Sequence, residues 1–149
     1  MARIDYYAIG NAIKTALQAD ATLSGVTVEL ETETLMSDAA RGPGHVSIYL
    51  AGRSATPGQA VAKGTRQIYE IAYSIVCRAA SLDPIDALQK RDDLVGKVEI
   101  ALMSLPDRSF TNRVESWYLG GGEFDRMDVD DGLMAAGEVV LVATARAIV

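Results

Sequence analysis

Residues 69–78 carry the longest alternation in the chain: Tyr69, Ile71, Tyr73, Ile75 and Cys77 fall on one side, Glu70, Ser74 and Arg78 on the other. A period of two sustained this long predicts an extended strand with one dry side and one wet side, the pattern of an antiparallel sheet. Such a strand needs hydrogen-bonding partners on both flanks and a layer of apolar side chains over its dry side. The rest of the chain has to supply both.

Partners are available. "VTVELE" (26–31) sets Val26, Val28 and Leu30 against Thr27, Glu29 and Glu31, and "HVSIYL" (45–50) sets Val46, Ile48 and Leu50 on one face. The C-terminal runs "NRVESWYLGGGEFDRMDV" and "AGEVVLVATARAIV" are joined through Asp130, Asp131 and Gly132, and an Asp-Gly pair between strand-like runs is a hairpin signal. Gly120, Gly121 and Gly122 inside the first run predict a bulge or bend.

The covering layer is equally legible. Ile4, Ile9, Ile13 and Leu17, with Ala8, Ala12 and Ala16, recur at helical spacing over about residues 4–19, although Gly10 weakens that helix. Asp83 as N-cap, Pro84 at the first helical position and Asp86 in the first turn open a second helix. Leu88, Val95, Val98, Leu102 and Leu105 form its buried stripe before Pro106. The order α-β-β-β-α-β-β predicts an α+β fold: a two-layer sandwich with a largely antiparallel sheet of about five strands and both helices on one face. No repeat or linker divides residues 1–149, which read as one domain.

One segment resists this scheme. "GRSATPGQAVAKGTR" (52–66) holds a long, basic, Gly/Ala-rich connection between two strands that a two-residue turn would join. Structureless loops beyond about 12–15 residues are usually functional, so it is expected to reach a neighbour and to order on contact.

Composition narrows the function classes. A chain of 149 residues with 49% hydrophobic residues and a net charge of −6 is a globular domain that needs no metal or disulfide. The acidic balance opposes tight binding of nucleic acid, which requires clustered Lys and Arg. Asp5, Lys14 and Asp20 interrupt the first twenty residues, leaving no secretory h-region, and no run is long enough to span a membrane. The single cysteine, Cys77, allows no internal disulfide, so a cytoplasmic setting is expected.

Catalytic and cofactor motifs fail one by one. Lys63 precedes Gly64 where a phosphate loop needs the reverse, and no helix follows to receive a phosphate. "GRSAT" (52–56) begins like a nucleophile elbow but lacks its last glycine and the strand-to-helix turn. His45 is the one histidine, expected as a surface or strand-edge imidazole. The acidic run "EFDRMDVDDG" fails as a calcium loop because Met127 and Val129 would occupy ligand positions. No cofactor, metal or catalytic residue is expected. Cys77 reads as a small core residue, and Tyr6, Tyr7, Trp117 and Tyr118 as interface anchors or core.

Taken together, "IDYYAIGNAIKTALQAD", "VSIYLAG" with its Gly/Ala loop, "IYEIAYSIVCRA", "DPIDALQKRDDLVGKVEIALMSL" and the closing hairpin resemble the tail terminator, or tail completion, proteins of long-tailed bacteriophages. The resemblance rests on length and element order. It implies a non-enzymatic structural protein of the virion, assembled in the host cytoplasm: a homo-oligomeric ring, commonly a hexamer, that caps the tail tube and docks to the head-side connector. DNA would pass through its channel without specific binding, and no membrane is involved. A ring needs two different complementary patches per subunit. The basic loop with Arg53, Lys63 and Arg66 and the acidic hairpin with Glu123, Asp125, Asp128, Asp130 and Asp131 are the expected pair. Glu70 is the expected lumen-facing carboxylate. Another protein of the phage neck or connector, or an unrelated intracellular binding module, remains the alternative.

Overall fold

The computed structural model describes residues 3–31, 40, 42–55, 66–129 and 132–148. Helix α1 spans Tyr6–Ala19 and starts where the Asp5 carboxylate accepts the Ala8 N–H at 3.0 Å, a cap that the periodicity alone did not locate. A 3-10 turn, Ala21–Leu23, leads into strand β1 (Thr27–Leu30), followed by β2 (His45–Ala55) and β3 (Arg66–Ser81). Helix α2 (Pro84–Met103) begins as expected, with Asp83 accepting the Ile85 N–H at 3.1 Å and Pro84 in the first turn. Strands β4 (Ser116–Gly120), β5 (Phe124–Val129) and β6 (Gly132–Ile148) complete the fold.

The strands form one sheet in the order β1-β2-β3-β6-β4, with β5 also pairing β6. Only β1 and β2 run parallel; the other pairs are antiparallel. The α+β expectation therefore holds, with six strands where about five were expected. The extra one arises because the run before the Asp-Gly hairpin divides at its glycines into β4 and β5.

Both helices lie on one face. Ile9, Ile13 and Leu17 of α1 and Leu94, Val98 and Leu102 of α2 share a core with Val46, Ile48, Ile71, Ile75, Cys77 and Leu141 of the sheet. The alternation read from 69 to 78 thus points its dry side at the helices. Among the described residues no helix is long and apolar enough to cross a membrane.

Two one-residue register shifts shape the edges. Leu50 pairs with Tyr73 but Gly52 pairs with Ala72, so Ala51 is an inserted residue. Gly120 pairs with Val140 but Phe124 pairs with Gly137, a second insertion between Gly120 and Phe124. Because side chains alternate with period two, each insertion moves every later side chain to the opposite face. Gly122 is required there: a Cβ would fall 2.0 Å from the Glu138 carbonyl oxygen. Gly132 is not in the turn but opens β6, with φ +134° and a virtual Cβ 2.1 Å from the Ser81 carbonyl oxygen.

Candidate functional site

Strand β2 continues to Ala55, so Gly52–Ala55 of the expected loop are sheet. Residues 56–65, including Lys63, lie outside the described residues, as do Asp130 and Asp131 of the acidic hairpin. The backbone of Arg66 opens β3 opposite Ile148.

Arg53 is an anchored side chain. The Ala51 insertion pairs it with Ile71 and so turns it to the helix-bearing face, where its guanidinium lies 5.7 Å from the Tyr6 ring centroid and 4.9 Å from that of Tyr69. Its Nη1 donates to the Tyr6 hydroxyl at 2.7 Å. Arg3, Asp5, Tyr6, Arg53 and Tyr69 surround a depression of about 400 Å³ at the N-terminal end of α1. Tyr73 holds the Tyr6 backbone by donating its hydroxyl to the Tyr6 carbonyl at 2.7 Å, and burial pushes that phenol's pKa upward, with Tyr6, Asp5 and Glu31 adding to the shift.

The acidic residues do not share one surface. Asp125, opposite Ala136, and Glu123 border a depression of about 300 Å³ on the helix-free face, together with Arg78, Met127 and Glu138. Asp128 is opposite Leu133, which packs with Ala87 of α2, and therefore lies on the helix-bearing face beside Arg126 and Pro84. Glu70 stands exposed on the helix-free face between Ser54 and Thr144.

That helix-free face carries a polar network that sequence reasoning missed. His45 is fully buried rather than at the surface. Its Nε2 lies 3.4 Å from Glu29 of β1 and its Nδ1 3.4 Å from the Ser47 hydroxyl. Arg78 of β3 donates to Ser47 at 3.2 Å and to Tyr49 at 3.5 Å, and Ser74 donates to Glu138 of β6. Carboxylate, imidazole and serine stand in the order of a hydrolase triad. Ser47, however, is as buried as His45 and its oxygen already accepts from a guanidinium. The arrangement ties three strands together. The pairing of position 29 with 47 and of 45 with 78 across strands was the one signal available, and it depends on knowing that β1 and β2 run parallel.

Cys77 is in the core as expected, where burial pushes its thiol up to about 12, with Glu99 adding to the shift and Arg78 opposing it. Trp117 is buried against Phe110 and under the Arg108 guanidinium, whereas Tyr7 and Tyr118 are 72% and 56% exposed.

No protein-family model matches the chain, and no curated protein matches it in sequence. Solved structures do. A component of the virion of a native gene transfer agent particle superposes on 96% of this chain and 100% of its own, with a TM-score of 0.55 and 17% identity. This chain shares the fold of that component. The sheath/tube terminator of an extracellular contractile injection system, in its extended state, matches 99% of this chain at a TM-score of 0.50 and 12% identity. Our chain corresponds to 58% of that longer terminator. The likeness to tail terminators drawn from element order is thus met at the level of the fold.

Proposed function

We propose that this chain is a structural tail protein that forms a ring, six-fold in the simplest case, at the head-proximal end of a tail tube and docks it to the connector. The observation that carries this reading is coverage. The fold shared with a virion component extends over 96% of this chain and all of that one, so little of either chain lies outside the shared domain. The terminator likeness, which also spans nearly the whole chain, supports a position at the tube end. The tube protein and a neck protein are then its partners, and the role is architectural rather than enzymatic. DNA passes through the channel, whose lining is neutral or acidic, because a basic lumen would hold phosphates by counterion release. Glu70, exposed in the middle of the helix-free face, is a lining carboxylate in this arrangement.

Mass photometry over a concentration series, with electron microscopy of the chain added to purified tail tubes, tests the proposal. A closed ring, alone or seated on one tube end, is expected. A chain that stays monomeric and leaves tubes bare would overturn it. Another neck protein, the competing reading, would bind isolated heads in preference to tubes.

A further inference from the structure

We infer that the Arg53 notch receives the Asp128 carboxylate of a second copy of this chain, so that these two residues form one contact of the ring interface; the inference rests on the ring reading above. Arg53 is held in place before any partner arrives. Two tyrosine rings flank its guanidinium and one hydroxyl fixes Nη1, which leaves Nη2 and Nε as donors. No carboxylate of the described residues forms an ion pair with it. A planar, prepositioned fork suits a carboxylate and loses little freedom in binding it.

Asp128 is the matching group. It is exposed and has no cation partner among the described residues. Each of the two inserted residues, Ala51 before Arg53 and one between Gly120 and Phe124 before Asp128, turns its residue to the helix-bearing face. The two groups therefore share a layer but sit at opposite corners of it. Arg53 is on β2, level with Ile71 in the first half of β3, while Asp128 is on the β5 edge, opposite Leu133 and so level with Ser81 at the other end of β3. One subunit cannot bring them together. Two different patches at opposite corners are what a head-to-tail contact uses, and repetition of that contact closes a ring. With Arg3 and Asp5 offsetting each other, the notch keeps the positive charge of Arg53, and Arg126 on the β5 edge has Asp5 as an opposite charge in the notch. Glu123 and Asp125 border the other face and take no part in this contact.

Sedimentation velocity of the full chain across a concentration series tests this with Arg53→Glu, Asp128→Arg, the double variant and Asp125→Arg. Each of the first two should weaken self-association by about tenfold or more, because like charges then meet. The double variant should recover assembly, and Asp125→Arg should assemble as the wild type does. Recovery absent in the double variant, a folded single variant that assembles normally, or an equal loss in Asp125→Arg would each overturn the assignment. Circular dichroism melting confirms folding. If a charge reversal does not fold, Arg53→Gln and Asp128→Asn form a milder cycle in which non-additivity supports the contact and additivity rejects it. A wild-type chain that stays monomeric with and without tubes removes the ring reading and this contact together. Normal assembly of the variants removes the contact alone.

Discussion

The two faces of the sheet are built from the same strands yet do different work. Facing the helices, Ile71, Ile75, Cys77 and Leu141 are sealed under α1 and α2. On the other face, Ser47, Tyr49, Ser74, Arg78 and Glu138 are joined by hydrogen bonds from strand to strand. Removal of apolar area from water is non-directional and sums over the whole helix-bearing face. The polar network instead depends on particular partners, and each of its groups is costly only when left unpaired. One face therefore supplies the bulk of stability, while the other fixes how β1, β2, β3 and β6 lie side by side and leaves the sheet open to a neighbour.

The widest separation between the faces should appear in thiol chemistry. Cys77, buried and pushed up to about 12, reacts only when the helix layer opens. A Thr144→Cys change in a Cys77→Ala background puts the thiol on the open face. Its labelling by an aromatic disulfide at pH 8 should be faster by roughly 10³-fold or more, given the usual span between local and global opening. Equal rates would mean that the helix layer opens freely.

Side-chain truncation gives the next contrast. Leu102→Ala removes a fully buried side chain from α2 and should cost about 2–5 kcal/mol in urea unfolding. Val142→Ala, half-buried on the open face, should cost under about 1.5 kcal/mol, because less buried area is lost and solvent fills the space. Comparable losses would show that the open face is also a packed core.

Ser47→Ala probes the network itself. Removing the hydroxyl leaves Arg78 without one acceptor and His45 without its Nδ1 neighbour, at a cost of about 1–3 kcal/mol. Ser74→Ala is a milder control, since Glu138 still accepts from the Glu123 N–H at 3.3 Å. If Ser47→Ala melts with the wild type, the network contributes no net stability.

Legibility in the sequence followed the same division. The helix-bearing face was readable because its signals are periodic or local: the 69–78 alternation, and Asp83 with Pro84 opening α2. Features that depend on pairing were not readable. Ala51 lies in the small-residue stretch "AGRSA", which has no alternation to reveal the change of face that carries Arg53 against Tyr69. The glycines at 120–122 announced a bend, but not that its extra residue would turn Asp128 rather than Asp125 to the helix-bearing face. His45 was misplaced for the same reason. Its burial comes from Glu29 of a parallel strand and from the neighbourhood of Arg78, neither of which is near it in sequence.

The smallest effect is expected outside both faces, in the loop that closes the helix layer at 107–113. Phe110, Thr111 and Asn112 all have left-handed φ, at 50°, 61° and 60°, which side chains with a Cβ adopt only at a cost. Asp107 holds them there. It accepts from the Ser109 hydroxyl at 2.6 Å, the Ser109 N–H at 2.9 Å and the Thr111 N–H at 3.0 Å. The Ser109 hydroxyl, then the Thr111 and Ser109 amides, hold its carboxyl below the ordinary aspartate value. A lowered pKa in the folded state means that the contribution is complete above the ordinary value of 3.8 and is lost as pH falls through the lowered one. Phe110 stacks on Trp117, the one tryptophan of the chain, at 5.9 Å, so its fluorescence reports the loop directly. Melting midpoints followed by that fluorescence should fall less steeply for Asp107→Asn than for the wild type as pH drops below 3.8. The variant should also be slightly less stable at pH 7, because an amide cannot accept all three bonds. Parallel pH profiles for the two proteins would show that the left-handed turn is held by Phe110 packing rather than by the Asp107 carboxylate.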